Sequence, residues 1–364
     1  MASTWKKIKI KLDNGQIADA QAPEIISASR STDIPAFYAD WFFYRLDKGY
    51  SAWTNPFNGK KSYVSYRNTR FIVFWSKNPE KLIPHLVKLE RHEPKINCYI
   101  QYTLNDYVKE GLEKGVPSVE KRIGTFKRLV EILGKGHVIW RFDPLILTDK
   151  ISIDDLLSKI EFIGDQLKGF TEKLVFSFAD IESYKKVKIN LIRNDIRYIE
   201  WTQDQMQEFA KRLSALNKLK SWNYELATCG EEPDYKKYDI QPNHCVDDNL
   251  MIRFAWRDSI LMKFLGVEIK TKNTCLSLFD EPQVIPIDAI MLDDGIHYAI
   301  KRKNNSDKGQ RRLCGCMISK DIGQYNTCPH QCEYCYANTN KQIAVQNYQT
   351  AVLVGLKSET ITGK

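Results

Sequence analysis

Six short apolar runs share one feature, which is that polar or charged side chains follow each of them directly. The runs cover residues 25–29, 71–75, 96–103, 137–140, 174–178 and 222–227. Apolar runs of this length, bounded by polar residues, are typical of buried β-strands. We therefore predict six strands over these segments.

Amphipathic segments separate the predicted strands. Residues 119–133, 153–167 and 204–216 repeat apolar side chains at steps of three and four, which predicts helices. Strands that alternate with helices form parallel sheets, because a parallel connection needs a crossover of a dozen or more residues. We predict an α/β fold, a partial or complete (β/α) TIM-like barrel. An open doubly wound sheet is the alternative.

The polar residues that follow the strands are candidates for a site, because the carboxyl ends of barrel strands face one mouth. Arg30 and Asp33 follow the first run, Lys77 follows the second, and Arg141 and Asp143 follow the fourth. An arginine can clamp a carboxylate, and an aspartate can bind a ribose hydroxyl or relay a proton. These five residues are the predicted catalytic set. The alternative is that they form structural ion pairs at strand ends.

The composition is that of an ordinary soluble protein, with 364 residues, 43% hydrophobic and 27% charged. The chain begins without an apolar leader, and no window approaches the ~20 apolar residues of a membrane span. We expect a cytoplasmic protein with no membrane partner. In that compartment thiols stay reduced, which favours cysteines as metal ligands over disulfides.

The net charge of +9 permits a phosphate-bearing substrate or nucleic acid as a partner. Six basic residues lie in one polar segment: Lys301, Arg302, Lys303, Lys308, Arg311 and Arg312. The segment has no interleaved aromatic residues for base stacking, so a solvated loop is the alternative to a nucleic-acid contact.

Five of the nine cysteines lie between residues 314 and 335. Cys328, Cys332 and Cys335 form a C-x3-C-x2-C run of three thiols, whereas zinc knuckles usually present paired C-x2-C steps. A [4Fe-4S] cluster held by three thiolates keeps one iron free for a substrate or cofactor. The alternative is a structural zinc site made from any four of the five clustered cysteines.

Tyr334 immediately precedes the third cysteine, and with it the segment resembles the radical S-adenosylmethionine (SAM) signature C-x3-C-x-aromatic-C. The resemblance implies that Cys328, Cys332 and Cys335 hold a [4Fe-4S] cluster and that the backbone at Tyr334 lies against the adenine of SAM. It also implies an electron donor such as flavodoxin or ferredoxin. That superfamily carries the motif near its N-terminus. Its position here, near the C-terminus, implies a circularly permuted arrangement.

A larger frame also resembles a known family. The segments SASRSTDIP at 27–35, FIVFWSKNP at 71–79 and VIWRFDP at 138–144, together with the cysteine tail, look like the uncharacterised prokaryotic domain of unknown function 1848. This resemblance runs from about Ala22 to Asn338 and supplies no substrate.

For the organisation of the chain, we predict a barrel domain over 1–270, an irregular basic connection over 271–312 and an iron-sulfur segment over 313–364.

Four further cysteines make a complete ligand set. Cys314 and Cys316 form a C-x-C step, and Cys229 and Cys245 follow the sixth predicted strand. Four thiolates would close a second iron-sulfur cluster with no open iron, and zinc could occupy the same ligands. The alternative is two loop thiols beside two buried core cysteines.

The sequence thus predicts a radical SAM-like iron-sulfur enzyme that cleaves SAM reductively and acts through a 5′-deoxyadenosyl radical on an unknown substrate. A different class remains open, which is a non-catalytic zinc- or iron-sulfur-stabilised nucleic-acid-binding module.

Overall fold

The computed structural model describes residues 5–55, 58–231, 235–272, 285–309 and 313–363. The strands in these ranges are β1 (Lys7–Lys11), β2 (Ile17–Gln21), β3 (Ile25–Ala28), β4 (Tyr50–Thr54), β5 (Lys61–Ser65), β6 (Phe71–Ser76), β7 (Asn97–Thr103), β8 (Val138–Leu145), β9 (Leu147–Thr148), β10 (Lys173–Phe178), β11 (Tyr198–Ile199), β12 (Glu225–Thr228), β13 (Ile240–Pro242), β14 (Val267–Thr271), β15 (Ile290–Met291), β16 (His297–Lys301) and β17 (Lys320–Asp321).

The α-helices are α1 (Ile34–Phe37), α2 (Ala39–Asp47), α3 (Leu86–Glu90), α4 (Val119–Leu133), α5 (Ile153–Leu167), α6 (Lys185–Arg193), α7 (Gln203–Leu219), α8 (Asp248–Ala255), α9 (Ser259–Leu265) and α10 (Lys341–Leu353). Two 3-10 helices, Pro79–His85 and Lys236–Tyr238, complete the helical segments of the described ranges. None of the helices in these ranges combines the length and the apolar character needed to cross a membrane.

One large parallel sheet organises the molecule. Within the described ranges it has eight strands in the order β13-β12-β10-β8-β7-β6-β3-β17, and every neighbouring pair is parallel. The mixed α/β fold is thereby confirmed, and all six predicted strands lie side by side in it. Among the described residues no ladder joins β13 to β17, so the sheet is not closed and a complete TIM barrel is not confirmed.

The helices between the strands begin where the sequence supplies capping side chains. Ser118 accepts a hydrogen bond from the backbone of α4, while Ser152 and Thr202 form capping boxes with Asp155 and Gln205 at the starts of α5 and α7. Each cap satisfies a backbone donor that has no partner within its helix. The predicted helices over 119–133 and 153–167 have the observed bounds, and the third is longer than predicted.

The two faces of the sheet bury different clusters because side chains alternate along each strand. On one face, Ile72 and Trp140 pack in the core that includes Phe126 of α4. On the other face, Val73 and Ile139 pack in a second core.

This second face, called here the inner face, changes character along the strands. Near the strand amino ends its residues are apolar and join Met251 of α8 and Leu261 of α9 in one core. Towards the carboxyl ends the same face carries Gln101, Arg141 and Cys229. The polar half of the inner face is where the candidate site lies.

Several elements lie outside the predicted repeats. β1, β2, β5 and β4 form a four-stranded sheet, and β14, β16 and β15 form a three-stranded antiparallel one. The predicted irregular connection thus contains β15 and β16, while its parts 273–284 and 310–312, with Arg311 and Arg312, lie outside the described residues. The domain boundaries remain a prediction.

Candidate iron-sulfur site

The cysteine motif packs against the carboxyl edge of the parallel sheet through Tyr334. The Tyr334 hydroxyl accepts hydrogen bonds from Lys77 Nζ at 2.8 Å and Asn105 Nδ2 at 3.1 Å, and it donates to the Glu113 carboxylate. Lys77 directly follows β6, and Asn105 follows β7. The aromatic residue of the motif is therefore anchored by side chains that two adjacent strands deliver to one edge.

Charge pairing makes this anchor possible in a buried setting. Glu113 is fully buried, and its Oε1 lies 2.8 Å from Lys77 Nζ while Arg122 Nη2 lies 3.7 Å from its Oε2. Burial alone would raise the pKa of Glu113, but Lys77 and Arg122 outweigh burial and lower that pKa to about 2. Burial raises the pKa of Tyr334, which keeps its hydroxyl protonated and able to donate.

Asp33 forms a second anchor. Its carboxylate accepts hydrogen bonds from Ser76 Oγ at 2.7 Å and from the Lys77 backbone N–H at 2.8 Å, and its Oδ2 lies 2.8 Å from His330 Nε2. His330 lies between the first two cysteines of the motif. One carboxylate thus joins the loop after β3, the end of β6 and the cysteine loop.

Two backbone hydrogen bonds hold the cysteine loop against the segment that follows β7. The Gly115 N–H donates to the His330 carbonyl at 2.9 Å, and the Glu333 N–H donates to the Leu112 carbonyl at 2.9 Å. A Cβ at position 115 would lie 2.6 Å from the His330 oxygen. Only glycine permits this approach, because such a separation is shorter than van der Waals contact.

Cys328, Cys332 and Cys335 lie within electrostatic range of one another on this loop. Burial raises the pKa of Cys332, as do Glu113 and the other two cysteines, while Lys77 opposes the rise. Cys332 is buried and the other two are partly exposed. Three thiols on one loop, with the Lys77 ammonium in electrostatic range of Cys332, are a donor set that suits a cluster of soft metal ions, since thiolates are the ligands such ions prefer.

Arg30, Arg141 and Asp143 occupy a different part of the same edge. Arg141 pairs with Asp143, and its Nη1 donates to Cys245 Sγ at 3.1 Å. The guanidinium groups of Arg30 and Arg141 lie 5.4 and 5.6 Å from the Trp75 ring centroid. The five predicted catalytic residues therefore divide, with Asp33 and Lys77 beside the cysteine motif and the other three on the inner face.

Two carboxylates of the site had no signal in the sequence. Glu113 lies in the loop after β7, away from any strand end. Asp321 lies on the two-residue strand β17, where it accepts hydrogen bonds from the Ser29 hydroxyl at 2.8 Å and the Arg30 N–H at 2.7 Å. Both act across long sequence separations, which a local pattern does not reveal.

The basic segment has acidic partners in its described part. Lys301 lies 2.5 Å from Asp248, and Arg302 lies 2.8 Å from Glu268. With Lys303 they line a cavity of about 460 Å³ that His244 also faces. These ion pairs engage two of the six basic side chains.

Fold and site together define an α/β protein in which a C-terminal cysteine motif covers the carboxyl edge of a parallel sheet. The chain belongs to the family described as domain of unknown function (DUF1848), whose model matches residues 25–337. Comparison with curated proteins and with solved structures gave no significant match.

Proposed function

We propose that this protein is a radical SAM-like enzyme. Cys328, Cys332 and Cys335 would hold a [4Fe-4S] cluster, and the backbone at Tyr334 would lie against the adenine of SAM. The observation that carries the proposal is the attachment of the whole C-x3-C-x2-C loop, through Tyr334 and His330, to the strand ends where α/β proteins bind their ligands.

The bound cluster would supply, at its open iron, the electron that cleaves SAM to methionine and a 5′-deoxyadenosyl radical. The chain's own residues hold the loop in place. Lys77 and Asp33 fix the aromatic and histidine positions of the motif, and burial of Cys332 keeps water from its thiol. Exclusion of water protects a reactive intermediate from side reactions.

The remaining predicted catalytic residues would contact the substrate. Arg30, Arg141 and Asp143 lie on the polar half of the inner face, and both guanidinium groups lie near the Trp75 ring. Two cations beside an aromatic ring suit an anionic substrate, because a guanidinium binds carboxylate and phosphate oxygens in pairs.

The parallel sheet fits the same proposal. Its strands follow chain order from β3 to β13, and β17 lies beside β3, as the last strand of a (β/α) barrel does. We interpret the sheet as a barrel left open between β13 and β17, with the cysteine loop across its mouth. The arrangement would be a circular permutation of the usual radical SAM order.

Anaerobic purification followed by a dithionite-driven assay for 5′-deoxyadenosine tests the function. Wild-type protein should be brown, contain iron and acid-labile sulfide, and form 5′-deoxyadenosine from SAM. Cys332→Ala should abolish that product, whereas Cys98→Ala, a buried strand thiol, should retain it. Colourless wild-type protein with stoichiometric zinc, or product formation by Cys332→Ala, would refute the proposal.

A further inference from the structure

Four cysteines from three separate parts of the chain meet on the inner face. Cys229 follows β12, Cys245 follows β13, and Cys314 and Cys316 belong to the tail. Cys229 Sγ and Cys245 Sγ lie 3.3 Å apart. Cys245 and Cys314 are both close enough to Cys316 to raise the pKa of its thiol. The four thiols are thus a continuous row.

Donors and positive charge surround this row. The Val246 N–H points at Cys316 Sγ at 3.4 Å, and Asn243 Nδ2 and Arg141 Nη1 contact Cys245 Sγ at 3.2 and 3.1 Å. Such N–H groups stabilise thiolates, and cations offset their buried negative charge. A site with four thiolates in a protein interior needs both.

Arg30 supplies a further cation beside this row of thiols. Its guanidinium interacts electrostatically with Cys245, Cys314 and Cys316 as well as with Asp321. Its Nη2 is buried and has no hydrogen-bond partner within the described ranges. A buried guanidinium nitrogen without a partner is costly, which indicates an acceptor at this position that protein atoms do not provide.

We infer that Cys229, Cys245, Cys314 and Cys316 hold a second iron-sulfur cluster, fully ligated by cysteine, with Arg30 and Arg141 as its neighbouring cations. The extent of the whole row favours a cluster over one zinc ion, while its closest pair, Cys229 and Cys245, would have to move apart from 3.3 Å to bind two different irons. Around a single ion with bonds of about 2.3 Å, all four sulfurs lie within about 3.8 Å of one another. No three of the described sulfurs satisfy even a 4.8 Å limit. In a four-iron cluster each thiolate binds a different iron, so the sulfurs stand further apart.

The ligand set also has a structural consequence. The Met317 N–H donates to the Val246 carbonyl at 3.0 Å, so the tail already lies against the loop after β13. A cluster that bridges Cys316 to Cys229 and Cys245 would bind the tail to the open side of the sheet. The inference can be tested apart from the proposed function, because the two ligand sets share no residue, although Arg30 and Arg141 enter both.

The test uses full-length protein in which Cys328, Cys332 and Cys335 are all replaced by serine. Reconstituted anaerobically with iron and sulfide alone, this triple variant should bind about four irons per chain and give the Mössbauer spectrum of a cluster with four thiolate ligands. Adding Cys245→Ser or Cys314→Ser should reduce bound iron to background. Adding Cys98→Ala, outside both ligand sets, should leave it unchanged.

Circular dichroism of every variant establishes that it is folded, and Cys314→Ser is the safer variant because Cys314 is partly exposed. Three results would overturn the inference: a folded triple variant that binds no metal, one that binds one zinc in place of iron, and one that keeps its iron after Cys245→Ser and Cys314→Ser. Loss of two titratable thiols to a Cys229–Cys245 disulfide under anaerobic conditions would overturn it as well.

Discussion

His330 Nε2 lies 2.8 Å from Asp33 Oδ2, which joins residues almost three hundred positions apart in the chain. Both residues are buried, with exposed fractions of 2% and 7%. Because Asp33 follows the first strand of the repeat and His330 lies inside the cysteine motif, this contact brings the C-terminal motif to the edge where the first strand ends.

Asp33→Asn should weaken that connection. An amide in place of Oδ2 would present a donor to the Lys77 N–H, which then loses its acceptor. We expect the free energy of unfolding, measured with urea under reducing conditions, to fall by about 1.5–3 kcal/mol, the range for hydrogen bonds to charged groups. The matched control is Asp40→Asn, since Asp40 is exposed and pairs only at the surface with His85. Its effect should stay below about 1 kcal/mol, and equal losses in both variants would contradict the prediction.

Gly115→Ala should displace the cysteine loop. The new methyl group would meet the His330 carbonyl oxygen at 2.6 Å, and the backbone must shift to relieve the clash. Overpacking of this kind costs about 1–3 kcal/mol, which a thermal unfolding curve will measure as a lower midpoint.

Gly124→Ala provides the comparison for Gly115→Ala. Position 124 lies inside α4, with open space where a Cβ would lie. Alanine there should be neutral or stabilising by about 0.5–1 kcal/mol, because it reduces the entropy that glycine loses on folding. An unchanged midpoint for Gly115→Ala would show that the loop does not approach the motif this closely.

The strands were predictable because burial on both faces makes them continuous apolar runs. The polar ends of β3, β6 and β8 likewise identified residues that do lie at one edge. β1 was not predictable in this way, because Lys7–Lys11 alternates exposed and half-buried positions, and neither was β17, which has two residues.

The site was predictable only where spacing carries information. Cysteines at steps of three and four are visible in the chain, whereas Glu113 meets Lys77 across 36 positions and Asp321 meets Ser29 across 292. Such partners depend on how the chain folds back, which neither periodicity nor spacing encodes.

His137 should make stability depend on pH. Its ring stacks on Phe254, with ring centroids 3.6 Å apart, and its Nδ1 lies 2.8 Å from the Cys98 carbonyl. Burial lowers the pKa of His137 below its ordinary value near 6.5. The neutral ring is therefore favoured in the folded state. Its contribution is present above about pH 6.5 and is lost as the pH falls towards the lowered pKa.

Urea unfolding at pH 7.5 and 5.5 measures this effect. Wild-type protein should lose more stability between the two values than His137→Gln, whose amide can still donate to Cys98 and does not titrate. His92→Gln, a histidine outside the core, should keep the wild-type difference. If His137→Gln shows the same difference as wild type, His137 is not the responsible group.

The ion pair of Lys77 with Glu113 should be strongly coupled. Lys77→Met leaves a buried carboxylate with Arg122 at 3.7 Å as its remaining cation and with the Tyr334 hydroxyl as a donor, so we expect a loss of about 3 kcal/mol, the lower end for a broken buried pair. Glu113→Gln removes the negative charge. It should cost less than Lys77→Met, because 16% of the Lys77 side chain is exposed to water.

The double variant Lys77→Met/Glu113→Gln contains neither half of the pair. Its loss of stability should be about 1–3 kcal/mol smaller than the sum of the losses in the two single variants. Urea unfolding of the four proteins gives this coupling free energy directly. Additive losses would mean that the two side chains do not stabilise each other, and that Glu113 is held at the site by Arg122 and Tyr334 alone.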